Sequence, residues 1–164
     1  MATTRLLFSA LAIHAATAPA QLSPTAFGGI PRWADSALRA AGLNQRFTLS
    51  SELNPVYAFG DLDRDGLVDI AVEVKDSGGL RCGIAIVHRL DRSVHIVGAG
   101  LPIGNGKDHL PCRGDWGVQS PWASDRHHAF GPDLLYVEEG GTGSGWLIWD
   151  GHAYVWASWD DGGA

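Results

Sequence analysis

Four aspartates recur at close spacing within residues 61–69, and their side chains suit the binding of a hard cation. Counted from the first aspartate, the carboxylates stand at loop positions 1, 3, 5 and 9, and Gly66 at position 6 permits a turn with a positive φ. A loop of this spacing surrounds calcium with oxygen atoms, and the residue at position 7 adds its backbone carbonyl. Magnesium suits it less, because that ion demands a tighter octahedron. The sequence therefore predicts a calcium site whose ligand residues are Asp61, Asp63, Asp65, Leu67 and Asp69.

We call residues 61–69 the acidic loop, and its flanks show that it is not part of a complete EF-hand. An EF-hand has a bidentate glutamate at position 12, where this chain has Val72. The residues on both sides alternate between apolar and polar types, which is typical of strands rather than helices. The simpler interpretation is an acidic hairpin turn closed by Asp65 and Gly66. We favour the cation site because four crowded carboxylates repel one another in the absence of a cation.

A second stretch with chemical potential, residues 140–146, lies between two predicted strands. Its four glycines can take left-handed dihedrals and expose backbone amides, and two hydroxyl groups add small donors. Such a loop can enter a narrow cleft, whereas the structural alternative is a flexible hairpin loop. A phosphate-binding loop fits poorly, because a strand-like tryptophan-rich segment follows and no lysine is present. The residues of this stretch are Gly140, Gly141, Thr142, Gly143, Ser144, Gly145 and Trp146.

Other polar and aromatic residues form less specific patterns. Glu138 and Glu139 are consecutive in a predicted strand and face opposite sides, so they make a poor acid/base pair. His127 and His128 suggest zinc, but no further ligand stands at a metal-binding spacing. The tryptophans could form a sugar-binding platform, although packing in a β interior is the alternative for most of them.

The first twenty residues read as a secretory signal peptide. Arg5 supplies a short positive region, residues 6–18 are mostly apolar, and an A-x-A site precedes Gln21. A buried N-terminal helix is the alternative, since the run is too short to span a bilayer. No cysteine follows the cleavage site closely, so no lipid or other membrane anchor is expected. We predict a periplasmic protein in which residues 21–164 form a single calcium-binding β domain.

The charge and the cysteines add two expectations for an exported protein. The net charge of −6 argues against nucleic acid as a partner. Cys82 and Cys112 can form a disulfide that closes a loop of about thirty residues and contributes roughly 3 to 4 kcal/mol. Two buried free thiols are the alternative, and nothing near either residue supports a catalytic thiol.

The remaining pattern predicts an all-β fold with one short N-terminal helix. Pro31 and Gly42 bound a helical repeat over residues 32–41, and a succession of apolar runs and turns follows it. We expect a meander of antiparallel hairpins that forms an incomplete propeller or an open sandwich. Residues 98–122 are expected to be loop, and Asp150 with Gly151 predicts a two-residue hairpin turn.

Residues 59–69 resemble the calcium loop of the integrin-type FG-GAP and VCBS repeats. The shared pattern begins with Phe59 and Gly60 and continues through the acidic loop. This resemblance implies calcium but no particular function. A second copy of the Asp-x-Asp-x-Asp-Gly pattern does not occur in the sequence, so an array of repeats is not expected.

Residues 55–157 as a whole resemble the periplasmic immunity proteins that protect bacteria from the peptidoglycan-cleaving effector of a bacteria-killing type IV secretion system. The leader, the single calcium loop, the meander and the late glycine-rich loop carry this resemblance. In that family the glycine-rich loop plugs the active-site cleft of a lysozyme-type hydrolase. The resemblance implies that residues 140–145 are the plug, with Trp146 where the family presents a tyrosine. A calcium-stabilised carbohydrate-binding or adhesion module is the alternative, and an enzyme is a third, less favoured reading.

Overall fold

The computed structural model describes residues 29–52, 55–119, 133–138 and 144–159. Within these ranges the chain forms one helix, α1 (Arg32–Ala40), and strands that assemble into two antiparallel sheets. The strands are β1 (Phe47–Leu49), β2 (Tyr57–Gly60), β3 (Asp69–Asp76), β4 (Cys82–Val87), β5 (Val94–Gly98), β6 (Asp115–Gln119), β7 (Leu134–Glu138), β8 (Gly145–Trp149) and β9 (Tyr154–Ser158). The predicted all-β fold with a short helix is confirmed, and its architecture is the open sandwich rather than a closed propeller. Among the described residues no helix is long and apolar enough to cross a membrane.

The first sheet is organised around β3, its longest strand. One edge of β3 pairs with β4, which pairs in turn with β5. The other edge is shared by two short strands, because β1 pairs with residues 74–76 and β2 with residues 69–72. The acidic loop is therefore the connection between β2 and β3, two antiparallel neighbours, as the strand-like flanks predicted.

The second sheet is a four-stranded meander in the order β6, β7, β8 and β9. The expectation of loop throughout residues 98–122 was wrong, because β6 lies within that range. The apolar pattern of β6 is short. It consists of two apolar side chains, Trp116 and Val118, at alternate positions with Gly117 between them. Pairing with β7 and complete burial of Trp116 stabilise a strand that its own sequence favours weakly.

The two faces of the first sheet are covered by different layers. Ile70 and Val72 of β3 pack with α1, while Ala71 between them packs with residues of the second sheet. The same alternation places Ala85 on the helix side and Ile86 on the sheet side. Burial on both faces explains why β4 is apolar almost throughout, since each face of a sheet needs a covering layer.

The helix has the expected start and a stop one residue earlier than predicted. Pro31 stands before its first turn, and Gly42 just beyond its end has a φ of 108°, which glycine adopts without a steric cost. Asp35 and Arg39 form an ion pair at 2.9 Å on its outer surface. Its inner surface contributes Leu38, which is fully buried.

The turn between β8 and β9 differs from the predicted two-residue hairpin. Asp150 and Ala153 close a four-residue turn, in which the Asp150 N–H donates to the Ala153 carbonyl at 3.1 Å. The Asp150 Oδ1 atom accepts from the N–H groups of His152 and Ala153, each at 2.8 Å. Because the Asp150 carboxylate accepts from two successive amides, it stabilises the turn over residues 150–153 rather than a two-residue turn at Asp150 and Gly151.

The sandwich has two distinct ends, which we name by what holds them. The acidic-loop end contains the β2–β3 connection, the end of β4 and the starts of β7 and β9. The disulfide end contains Cys82 at the start of β4, joined to Cys112 just before β6 with a Cα–Cα distance of 5.2 Å. The two ends are separated by the length of the strands, about 17 Å for a strand of five residues.

Candidate cation site

The acidic loop brings three of its aspartates together. Asp61, Asp63 and Asp65 each offer a carboxylate oxygen, and these atoms lie within 4.8 Å of one another. Backbone amides of the loop hold all three side chains: Gly66 N–H donates to Asp61 Oδ2 at 3.1 Å, and Asp65 N–H donates to Asp63 Oδ1 at 3.0 Å. Leu67 N–H donates to Asp65 Oδ1 at 2.7 Å. The loop's own main chain therefore fixes the orientation of these carboxylates.

Two oxygen atoms of this cluster are buried without a hydrogen-bond donor. They are Asp61 Oδ1 and Asp65 Oδ2, which have no hydrogen-bond partner among the described residues. A buried carboxylate oxygen without a partner costs free energy, because it has lost water and gained nothing in exchange. A cation between the two aspartates is the kind of partner that removes this cost.

Asp69, the fourth predicted carboxylate, has a different role. It is fully buried, its Oδ2 accepts from Leu62 N–H at 3.0 Å, and its Oδ1 accepts from Arg89 N–H at 2.6 Å. Burial raises the pKa of Asp69 to about 6, although both N–H donors act in the opposite direction. The side chain joins the acidic loop to the β4–β5 turn, and its ligand atom groups with Asp63 and His88 rather than with Asp61 and Asp65.

The backbone of the acidic loop shows why glycine stands at position 6. Gly66 has a φ of 82°, and a Cβ atom added there would meet nothing within 4 Å. The requirement is therefore conformational rather than steric. Arg64 also has a positive φ, of 72°, in spite of its side chain, which marks a strained position that the residue type does not predict.

His88 is a residue of this region that sequence reasoning missed. The residue is 2% exposed, with Nδ1 at 3.3 Å from Asp63 Oδ2 and Nε2 at 2.8 Å from the Tyr154 hydroxyl. The rings of Trp149 and His95 contact it at centroid distances of 4.8 and 4.6 Å. No spacing in the sequence connects His88 with the acidic loop, since the contact depends on how β4 ends.

Asp133 is the second residue that was missed. Its Oδ2 accepts from Asp61 N–H at 2.9 Å, and its own N–H donates to the Asp61 carbonyl at 3.0 Å. Asp133 stands just before β7, so these two bonds join the acidic loop to the second sheet. A single aspartate before a strand carries no sequence signal that separates it from an ordinary turn residue.

The predicted plug is only partly within the described residues. Gly140, Gly141, Thr142 and Gly143 lie outside them, as do the predicted leader and the pair His127 and His128. Ser144 precedes β8, and its carbonyl accepts from Trp159 N–H at 3.2 Å. Gly145 and Trp146 are the first two residues of β8, so these two members of the predicted glycine-rich stretch belong to a strand rather than to a loop.

Trp146 packs on the outer face of the second sheet. It is half-buried and contacts Tyr136 and Trp159 at centroid distances of 6.2 and 5.7 Å. Gly145 faces the other way, where an added Cβ would lie 2.5 Å from the Ala157 carbonyl and 2.6 Å from the Trp156 ring. The end of β7 and the start of β8 lie at the disulfide end of the molecule, at the opposite end of the second sheet from the acidic loop.

Comparisons with family models, with curated proteins and with solved structures find no match for this chain. The class of protein that the fold and the site define is a helix-covered β-sandwich with an acidic hairpin loop.

Proposed function

We propose that the acidic loop binds calcium and that the ion stabilises a binding module of the bacterial envelope. The calcium binding is supported by one observation: Asp61 Oδ1 and Asp65 Oδ2, beside Asp63, are buried and have no hydrogen-bond partner in the described part of the chain. Carboxylate oxygens suit a hard cation, and calcium accepts an irregular set of oxygen ligands more readily than magnesium, which demands a near-ideal octahedron. Asp69 supports the site by fixing the loop's main chain.

Calcium titration by calorimetry, with melting curves in chelator and in excess calcium, tests this proposal. Asp61→Asn and Asp65→Asn keep the shape of the side chain and its acceptor for the backbone amide but remove the charge. Both should abolish the heat of binding and the gain in melting temperature. Asp115→Asn is the matched control, because this exposed aspartate lies at the disulfide end. Identical melting curves with and without calcium for the fully stripped wild-type protein would refute the assignment.

We propose further that this module inhibits a lysozyme-type peptidoglycan hydrolase in the periplasm, with the glycine-rich stretch as the plug. This proposal is supported by the strands on either side of the stretch. β7 and β8 are paired neighbours, and the Ser144 carbonyl accepts a hydrogen bond from Trp159 N–H. A pre-shaped loop loses less conformational entropy on binding than a free one. The hydroxyls of Thr142 and Ser144 can donate to the catalytic carboxyl of such an enzyme.

The inhibitor proposal is tested by the loss of turbidity of a peptidoglycan suspension over a series of protein concentrations. Thr142→Ala and Trp146→Ala should each weaken inhibition more than tenfold, which is about 1.4 kcal/mol. Phe59→Ala is the matched control, because this aromatic side chain is 43% exposed and belongs to β2 rather than to the plug. Unchanged inhibition by both plug variants would place the contact elsewhere.

A carbohydrate-binding module is the second candidate, favoured by the aromatic group on the outer face of the second sheet. Trp146 lies in the middle of this group and contacts Tyr136 on one side and Trp159 on the other. The ring planes of Trp146 and Trp159 are inclined by 44°, so the group forms an angled surface rather than a flat platform. Co-sedimentation with purified peptidoglycan in the absence of enzyme separates the two candidates, since only a sugar-binding module sediments.

A further inference from the structure

Two consecutive residues of the acidic loop are attached to the second sheet through their main chain. Asp61 exchanges two hydrogen bonds with Asp133, at 2.9 and 3.0 Å, and the Leu62 carbonyl accepts from the Tyr154 hydroxyl at 3.4 Å. Asp133 precedes β7 and Tyr154 begins β9. Since β7 and β9 are both antiparallel to β8, these two anchors stand at the same end of the second sheet.

A histidine extends the same attachment to a second carboxylate. His88 lies between Tyr154, at 2.8 Å from its Nε2, and Asp63, at 3.3 Å from its Nδ1. Asp61 and Asp63 are thus both connected to the second sheet, one through its own main chain and the other through an imidazole. His88 itself follows β4, so the ring also belongs to the first sheet.

The two sheets approach very closely at this junction. A Cβ atom added to Gly60, the last residue of β2, would lie 2.6 Å from Val118 Cγ1 and 2.9 Å from Asp133 Oδ2. The β2 backbone at Gly60 therefore packs directly against the side chains of Val118 in β6 and of Asp133. A close-packed contact of this kind transmits a displacement of the loop instead of absorbing it.

We propose that Asp133 and the pair His88 and Tyr154 are positioning residues for the cation, which makes cation binding and the closure of the two sheets at this end one linked equilibrium. The inference depends on the proposed calcium binding. Mutual repulsion drives the carboxylates of Asp61 and Asp63 apart in the absence of an ion, and the anchors from the second sheet hold them together. By linkage, an ion that needs the closed junction stabilises that junction by the same free energy.

Calorimetric calcium titration of anchor variants tests the positioning role. Asp133→Ala removes the acceptor for Asp61 N–H and should weaken calcium binding about tenfold, the lower part of the range for partners that orient metal ligands. Asp133→Asn retains an acceptor oxygen and should bind within about threefold of the wild type, which separates positioning from charge. Tyr154→Phe removes one hydroxyl and should weaken binding several-fold. Asp115→Ala, at the disulfide end, should bind as the wild type does.

Hydrogen exchange distinguishes an effect of calcium on the second sheet from an effect confined to the acidic loop. Calcium should slow amide exchange in residues 145–158 of the wild type, which are outside the acidic loop, and should do so far less in Asp133→Ala. Wild-type affinity in both Asp133→Ala and Tyr154→Phe, or calcium protection confined to residues 61–69, overturns the positioning role and leaves the calcium site standing. Absence of calcium binding by the wild type overturns the proposed function and this inference together.

Discussion

The two sheets are joined covalently at one end and through the acidic loop at the other, which predicts how the protein responds to reduction and chelation. The disulfide between Cys82 and Cys112 has a sequence separation of 30. For a loop of that length, the loss of chain entropy in the unfolded state is worth about 3.6 kcal/mol at 25 °C. If the acidic loop binds calcium as proposed, a hundredfold excess of the ion over its dissociation constant adds about 2.7 kcal/mol.

The perturbations are combined in a four-way experiment. Urea unfolding and thermal melting are both measured for the oxidised wild type and for a Cys82→Ala, Cys112→Ala double variant, each with calcium and with chelator. Loss of the disulfide alone should lower the melting temperature by roughly 10 °C or more, given about 3 to 5 °C per kcal/mol for a domain of this size. Loss of both contributions removes about 6 kcal/mol, which is comparable to the whole stability of many domains.

The same four measurements also test whether the disulfide and the calcium site contribute independently to the free energy of unfolding. Sites separated by about 17 Å, the length of a five-residue strand, should have additive effects to within about 0.5 kcal/mol. Two titratable thiols in freshly purified protein would refute the contribution of the disulfide. An interaction free energy well above 0.5 kcal/mol would refute the independence of the two ends, and the strands would then carry the coupling.

Three smaller predictions follow from single residues. Gly66→Ala should cost about 1 kcal/mol or more in the free energy of unfolding, measured by urea titration, because its φ of 82° opposes any side chain although nothing occupies the space. Arg64→Gly should instead raise that free energy by up to about 1 kcal/mol, since it relieves a φ of 72°, and an unchanged or lower value would contradict the strain. Burial, and after it the neighbouring His88, lowers the pKa of His95 below its ordinary 6.5, so the fold favours the neutral ring. The stability that depends on neutral His95 should be complete above pH 6.5 and lost as the pH falls below it, and melting curves of His95→Gln should show a smaller loss than the wild type.

Local patterns in the sequence were sufficient for the features that depend on neighbouring residues. The helix was predicted from Pro31 and Gly42, and the meeting of Asp61, Asp63 and Asp65 from their spacing alone. Both depend on backbone geometry over a few residues, which residue type largely determines. Asp69 was expected to join them, but the burial of that position at the start of β3 makes it serve two backbone amides instead.

The features that were not predicted depend on contacts between distant parts of the chain. Leu62 and Tyr154 are 92 residues apart, and Asp61 and Asp133 are 72 residues apart. Neither contact has a periodic or spacing signal, because it is set by how one sheet lies on the other. The strand β6 was missed for the same reason, since its pairing with β7 supplies what its short apolar pattern lacks.

The separation of the two predicted sites limits how calcium can serve a plug. The acidic loop lies at the opposite end of the second sheet from the end of β7 and the start of β8, the two strands that flank the proposed plug. We therefore do not expect an ion in the loop to contact the proposed target enzyme. The anchors that join the acidic loop to the second sheet, Asp133 and Tyr154, lie at the starts of β7 and β9, at the far end of these strands from the start of β8. The disulfide already joins the two sheets covalently at the end where β8 begins. Calcium removal should therefore weaken inhibition chiefly by lowering the folded population, which means that excess inhibitor at low temperature should restore inhibition in chelator.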